Sequence, residues 1–153
     1  MMSIYEKLQS LQPLYPIKGV IHIGVGGPNS IRFYDQFNVT SAVFIDANKQ
    51  RSESLSNKIL DRPNWFSLCE VIGAKDVEQT YYEANNANES GLSPPDNLRN
   101  LWKNLQTKSQ SPRRVIDLKT CLKKYEQQIN IKSANLLFDL KKRFQSVEEE
   151  QFL

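Results

Sequence analysis

GVIHIGVGGPNSIRFYDQFNVTSAVFIDAN, residues 19–48, is the stretch of the chain that decides the fold. It contains an apolar strand, a turn with glycines, a helix and a second apolar strand that stops on a carboxylate. This order is typical of a βαβ unit that binds a nucleotide. An ordinary strand-turn-helix of an α/β core has the same layout, so both interpretations stay open at this point.

The glycine turn and the acid that follows it carry the functional part of the pattern. Gly24 and Gly26 occupy the turn, and Asp46 lies 22 positions after Gly24. Glycines here let a ligand approach the backbone, and an acid about 20 residues further on can accept both hydroxyls of a ribose. We therefore expect Asp46 to hold a nucleoside ribose, with a carboxylate that caps the next helix as the alternative.

The alternation of apolar strands and helices predicts an α/β fold with right-handed parallel crossovers. Residues 20–25 are continuously apolar, which is typical of a central parallel strand covered on both faces. Residues 42–45 form the second predicted strand, and Asn48 precedes a predicted helix through about Leu60. A length of 153 residues fits a single domain.

The rest of the chain divides into further elements and one long polar stretch. The remaining predicted elements are a helix at 4–11, strands at 65–72 and 79–82, an edge strand at 113–116, an amphipathic helix at 118–128 and a last strand at 134–138. Residues 83–113 are rich in Asn, Ser, Pro and Gln. A segment of that length without regular structure is usually functional, so we predict a mobile lid or substrate loop with a short helix near 98–105.

Composition excludes several classes of function. Hydrophobic residues make up 39% and charged residues 24% of the chain, with a net charge of +3. That charge is too small to indicate a nucleic-acid partner, and no apolar run approaches the ~20 residues that span a membrane. The first ten residues do not resemble a signal peptide, so we expect a cytoplasmic protein. One histidine and two cysteines, Cys69 and Cys121, predict buried thiols and no metal site.

The order of these segments resembles the FkbM-type methyltransferases, which use S-adenosylmethionine on a class I, Rossmann-like fold. The resemblance covers residues 19–139 and rests on the order and spacing of several motifs. These motifs are IHIGVGGPNS, FIDANKQ, LCEVIGAKDVEQTYY, ESGLS, RVIDLKTCLKKY and ANLLFDL. It implies a doubly wound, mostly parallel sheet in a single domain.

The resemblance also implies a set of cofactor-binding positions. Gly24 and Gly26 would lie against the methionine part of S-adenosylmethionine, and Asp46 would bind its ribose. Three consecutive residues would border the adenine: Glu70, Val71 and Ile72. Apolar walls with a few backbone hydrogen bonds suit an adenine, and a carboxylate suits a ribose diol.

The chain departs from the family pattern at three places. His22 stands where the family usually has an acid, and Pro28 stands near a usual glycine. His22 is therefore either a residue of the cofactor loop or a hydrogen-bonded core histidine. After Asp139 the family continues into further strands, whereas residues 140–153 form a charged, divergent tail. We expect a C-terminal part that is missing or altered, and an open sheet edge that favours a homo-oligomer.

The resemblance implies transfer of a methyl group to the oxygen of a small polar acceptor, such as a sugar hydroxyl. Asp139 ends a predicted central strand, where ligands of open α/β sheets gather. It is our candidate for the base that removes the hydroxyl proton, or for the group that orients the acceptor. The alternative is that Asp139 caps a helix in the tail.

Two other functions remain open from the sequence. A non-catalytic binding or assembly module would explain the altered positions and the divergent C-terminal part. An NAD- or FAD-binding Rossmann protein would explain the glycine turn and Asp46. The second is disfavoured because Asn29 stands where G-x-G-x-x-G requires its last glycine.

Overall fold

The computed structural model describes residues 4–11, 13–14, 17–26 and 31–130. Pro28, Asp139, the predicted strand at 134–138 and the tail at 140–153 lie outside the described residues. The helices are α1 (Ile4–Leu11), α2 (Arg32–Asp35), α3 (Lys49–Lys58), α4 (Leu118–Lys124) and α5 (Glu126–Asn130). The strands are β1 (Gly19–Ile23), β2 (Ser41–Asp46), β3 (Trp65–Cys69), β4 (Val71–Ile72), β5 (Val77–Ala84) and β6 (Thr107–Ile116).

The first sheet is parallel and has the order β1-β2-β3. All six residues of β2 are buried, and β2 pairs with both neighbours. Among the described residues β1 pairs with β2 alone, and the central position of the 20–25 strand stays a prediction. The residues of β1 are half-buried or exposed, whereas all six residues of β2 are buried. The strand covered on both faces is therefore β2.

Helices cover both faces of this sheet. Val43 and Ile45 of β2 pack into a cluster with α4 and α5, which includes Cys121 and Ile129. The alternate β2 residues, Ala42 and Phe44, pack into a second cluster with α2 and α3. Because successive strand residues point to opposite faces, these two clusters lie on opposite sides of the sheet.

The second sheet is mixed and has the order β4-β6-β5. β6 pairs in parallel with β4 and antiparallel with β5. The prediction of an edge strand at 113–116 is therefore wrong, because these residues end a ten-residue strand that lies between two others. The predicted strand at 65–72 is interrupted at Glu70, and its last two residues join this second sheet as β4.

The β5–β6 hairpin is longer than the sequence indicated, and it shortens the predicted lid to residues 85–106. Most residues of β5 and of the first part of β6 are exposed. Such strands lack the alternation of apolar and polar residues that predicts a strand. The polar composition of residues 83–113 therefore predicted a loop where part of the hairpin lies. In place of the helix predicted near 98–105, the loop contains two short 3₁₀ helices, Ala87–Glu89 and Pro95–Leu98.

The described residues form an α/β fold with one parallel three-stranded sheet and one mixed sheet. Among these residues, no helix is both long and apolar enough to cross a membrane.

Gly73, directly after β4, permits a close approach between backbone and core. A Cβ atom built on Gly73 would overlap Cγ1 of Val115, a residue that is almost fully buried. We expect Gly73→Ala to lower the free energy of unfolding by about 2 kcal/mol, because overpacking a core forces side chains or backbone to shift. Urea denaturation followed by tryptophan fluorescence measures this change.

The matched control for Gly73→Ala is the double variant with Val115→Ala, which removes the overlapping methyl group. If the overlap is the cause, the two substitutions together cost less than the sum of their separate costs. Strictly additive costs would contradict this explanation.

Candidate functional site

The carboxyl edge of the parallel sheet holds the glycine turn. Gly24 and Gly26 both have positive φ angles, +75° and +74°. Residues with a Cβ atom rarely adopt this conformation, so the turn requires its glycines. The N–H of Gly24 donates to the carbonyl of Ile45 at 2.8 Å, which holds the start of the turn against β2.

Asp46 faces this turn from the end of β2. Asp46 is only 7% exposed, and its Oδ2 accepts a hydrogen bond from the N–H of Gly26 at 3.0 Å. Its Oδ1 accepts from the N–H of Asn48 at 2.8 Å. The structure thus brings together the three residues that the sequence singled out first.

The helix after β2 is capped by a different residue. Asn48 is the N-cap of α3, and its side chain accepts from the N–H of Arg51 at 3.1 Å. The alternative interpretation of Asp46 as the cap of this helix is therefore wrong. Asp46 stabilises the glycine turn and the segment between β2 and α3.

The residues at this edge fit a nucleoside. A carboxylate has about four lone-pair positions, and backbone N–H groups of the described residues use one on each oxygen of Asp46. Apart from its two chain neighbours, no atom of the described residues lies within 4 Å of the position that a Cβ on Gly24 would take, so these residues leave space in the turn.

His22 lies on β1, two residues before the turn, and contacts Tyr34 of α2. Its Nδ1 is 2.9 Å from the hydroxyl oxygen of Tyr34, and the two rings pack edge to face. Burial lowers the pKa of His22, and the negative charge of Asp46 opposes this shift in part. The structure thus gives His22 the contacts of a hydrogen-bonded core histidine close to the site, and a role toward a cofactor remains a proposal.

The lowered pKa of His22 predicts how stability depends on pH. The unfolded chain binds a proton near pH 6.5, whereas folded His22 resists protonation until lower pH. Stability is therefore lost as pH falls below about 6.5, and the loss is complete below the folded pKa. Denaturation curves between about pH 7.5 and pH 5 measure the effect.

His22→Gln is the control, since His22 is the chain's one histidine. We expect the unfolding free energy of this variant to vary less over the same pH interval. Parallel pH profiles for the two proteins would contradict the assignment.

The three residues expected to border an adenine lie in different surroundings. The Oε1 of Glu70 accepts from Lys124 Nζ and from the Tyr125 hydroxyl, each at 2.5 Å, so this side chain anchors the α4–α5 segment. Val71 is buried in a cluster that Ala47 joins, next to Asp46. Ile72 is half-buried against the core on the α4–α5 face. Among the three, Val71 has a described contact beside the carboxylate.

Four polar residues beside the carboxyl edge were not predicted as site residues from the sequence: Arg51, Tyr81, Asn88 and Arg113. Asn88 Oδ1 accepts from Arg51 Nη2 at 2.8 Å and lies 3.9 Å from the position of a Cβ on Gly26. Arg113 Nη2 donates to the carbonyl of Ala47 at 3.2 Å. Three of the four lie on the hairpin or its loop, so the long-range pairing of β5 with β6 brings them here. A pattern of neighbouring residues in the sequence contains no signal for this long-range pairing.

Both cysteines are free, and they differ in burial. Cys121 is fully buried, and burial raises the pKa of its thiol to about 11, which makes it unreactive at neutral pH. Cys69 is half-buried, so the prediction of a buried thiol is confirmed for Cys121 only. Within the described ranges, no group of three or more His, Cys, Asp or Glu side chains could hold a metal ion.

The chain matches no protein-family model, no curated protein and no solved structure. Support for a function therefore comes from the residues at the carboxyl edge and from the order of the sequence motifs.

Proposed function

We propose that this chain binds S-adenosylmethionine at the carboxyl edge of a doubly wound, Rossmann-like sheet and methylates a hydroxyl of a small polar or sugar-type acceptor. One observation carries the proposal. The buried carboxylate of Asp46 is hydrogen-bonded to a glycine turn with positive φ angles, at the edge where open α/β sheets bind ligands.

Each residue at this edge has a proposed role in binding. Asp46 accepts the two ribose hydroxyls with the lone pairs that its backbone partners leave open. Gly24 and Gly26 let the methionine part approach the backbone, where a side chain would intrude. Val71 supplies part of an apolar wall for the adenine next to Ala47.

S-adenosylmethionine would supply an electrophilic methyl group. The chain's own contribution is to align the acceptor oxygen for an in-line displacement and to take up its proton. Asp139 is the residue we propose for the second task, on sequence grounds alone. Alignment in a cleft that excludes water would account for most of the rate enhancement.

An open cavity of about 330 Å³ offers a place for the acceptor. It is lined by Asn85, Asn86, Trp102, Lys103, Asn104 and Leu105. Trp102 is half-exposed, and an aromatic face surrounded by polar side chains suits a sugar ring. Asn86 lines the cavity two residues before Asn88, which lies beside Gly26. The 85–106 loop thus supplies residues both to the cavity and to the surroundings of the glycine turn.

A non-catalytic binding module is the second candidate. It is favoured because backbone N–H groups engage both oxygens of Asp46, an arrangement that equally suits an acid that only holds a turn in place. A homo-oligomer formed through an open sheet edge fits either function. Sedimentation of the purified protein tests the oligomer directly.

Isothermal titration calorimetry with S-adenosylmethionine and with NAD tests the proposed cofactor. We expect heat from S-adenosylmethionine and none from NAD. Mass spectrometry of a panel of sugars after incubation then tests transfer, with a gain of one methyl group as the expected product. Binding without transfer would favour the binding module, and heat from neither ligand would contradict the proposal.

A further inference from the structure

Two arginine side chains lie near the segment that follows Asp46, and each donates a hydrogen bond to a neutral acceptor. Arg113 Nη2 donates to the carbonyl of Ala47, and Arg51, in the first turn of α3, donates to Asn88 Oδ1. Both residues are half-buried. Within the described part of the chain, neither forms an ion pair with a carboxylate, so each keeps N–H donors beside the carboxyl edge that no described carboxylate engages.

Three other arginines are paired with a nearby carboxylate. Arg62, Arg99 and Arg114 form ion pairs with Asp35, Asp96 and Asp76 respectively. The contrast is sharpest on β6, where Arg114 makes two hydrogen bonds to Asp76 while the adjacent Arg113 makes none to a described carboxylate. Arg113 therefore lies at the edge of the candidate site with no ion-pair partner among the described residues.

The guanidinium of Arg113 is positioned by two contacts. Its central carbon lies over the ring of Tyr81, 5.3 Å from the ring centroid, and Tyr81 is only 6% exposed. One of its five N–H groups has a hydrogen-bond partner among the described residues, so the others remain as donors for a ligand. A guanidinium held in this way suits a planar or tetrahedral oxyanion.

Two carboxylates lie nearby, and each has other partners. Asp46 accepts from two backbone N–H groups, and Glu83 accepts from the Ser109 hydroxyl at 2.7 Å. Burial raises the pKa of Tyr81, and the charges of Asp46 and Glu83 add to that rise while both arginines oppose it. Two positive and two negative groups therefore act on Tyr81, and the two carboxylates are already hydrogen-bonded to other donors.

We propose that Arg51 and Arg113 form a subsite for the phosphate or carboxylate group of a ligand bound beside Asp46. The inference goes beyond the proposed function, because it requires no methyl transfer and no particular cofactor. The anionic group has two possible sources. It belongs either to the nucleoside, as a phosphate on the ribose that Asp46 holds, or to a separate acceptor molecule.

Inorganic phosphate is the first probe, titrated into the full-length protein at low ionic strength. Arg113→Gln and Arg51→Gln remove the charge while keeping an N–H donor for the Ala47 and Asn88 acceptors. We expect each to weaken phosphate binding about tenfold, the usual effect of losing a charge-assisted hydrogen bond. Arg114→Gln is the matched control, since it removes a neighbouring charge that Asp76 already neutralises, and we expect unchanged binding.

A pair of nucleosides distinguishes the two sources of the anion. If the phosphate lies on the nucleoside, adenosine 5′-phosphate, which keeps both ribose hydroxyls for Asp46, binds about tenfold more tightly than adenosine, and Arg113→Gln abolishes that advantage. If the anion belongs to the acceptor, the two nucleosides bind equally, and inorganic phosphate binds together with adenosine without competition. Both results support the subsite.

Three results would overturn the subsite: no phosphate binding, equal phosphate binding in all four proteins, or an equal loss in Arg114→Gln. Thermal melting of each variant separates loss of binding from loss of fold, and Arg51 on a surface helix provides a variant that is safe for folding. Phosphate binding that depends on both arginines, in a protein that fails to bind S-adenosylmethionine, would contradict the proposed function alone.

Discussion

Replacing Asp46 by alanine is expected to weaken S-adenosylmethionine binding about 100-fold or more, because a ribose diol loses both of its charged acceptors. The same substitution is expected to lower the free energy of unfolding by about 3 kcal/mol, since the buried N–H groups of Gly26 and Asn48 lose their partner. Calorimetric titration measures the first effect, and urea denaturation measures the second.

Two further variants separate binding from stability. Asp46→Asn retains the volume and one acceptor oxygen, so we expect it to be more stable than Asp46→Ala and still defective in binding. Asp117→Asn is the matched control, because Asp117 also follows a strand and its carboxylate also accepts from a backbone N–H, that of Thr120 at 2.9 Å. Undiminished affinity in both Asp46 variants would show that the carboxylate only holds the turn.

Phe44→Ala is expected to produce the largest loss of stability, about 4 kcal/mol, as is typical for a fully buried phenylalanine. Phe44 is 0% exposed and packs between Tyr34 and Trp65, with ring centroids 5.6 Å and 5.4 Å away. The cavity left by the ring would loosen the contact between β2 and the helices α2 and α3. Chemical denaturation of purified protein measures the loss.

Leu101→Ala provides the control for this core substitution. Leu101 is 77% exposed in the 85–106 loop, so we expect a change within about 0.5 kcal/mol. A loss for Phe44→Ala as small as that for Leu101→Ala would contradict the described packing of the first sheet.

The sequence predicted the first half of the fold because its signals are local. A continuous apolar run, glycines at the turn and Asn48 before a polar helix each specify an element within a few residues. The parallel pairing of β1 with β2 then follows from the βαβ rule, and it brings Gly26 to Asp46. The residue types and spacing of the glycine turn and Asp46 therefore suffice to predict this contact.

The hairpin and the four polar residues near the carboxyl edge could not be predicted in this way. β5 and β6 are largely exposed, so their side chains carry no alternation to read. Their pairing joins residues up to 38 positions apart, from Val77 to Val115. Arg113 reaches Ala47 only because of that pairing, and a sequence pattern contains no signal for such a contact.

The backbone amides of the glycine turn report most directly on the central claim, that a nucleoside cofactor binds between this turn and Asp46. Two-dimensional ¹H–¹⁵N NMR of the labelled protein, titrated with S-adenosylmethionine, resolves the glycine amides individually. We predict saturable shifts for Gly24 and Gly26, with Gly19, at the opposite end of β1 from the glycine turn, unchanged as internal reference. Unchanged chemical shifts of the Gly24 and Gly26 amides at saturating S-adenosylmethionine would contradict binding of the cofactor at this turn.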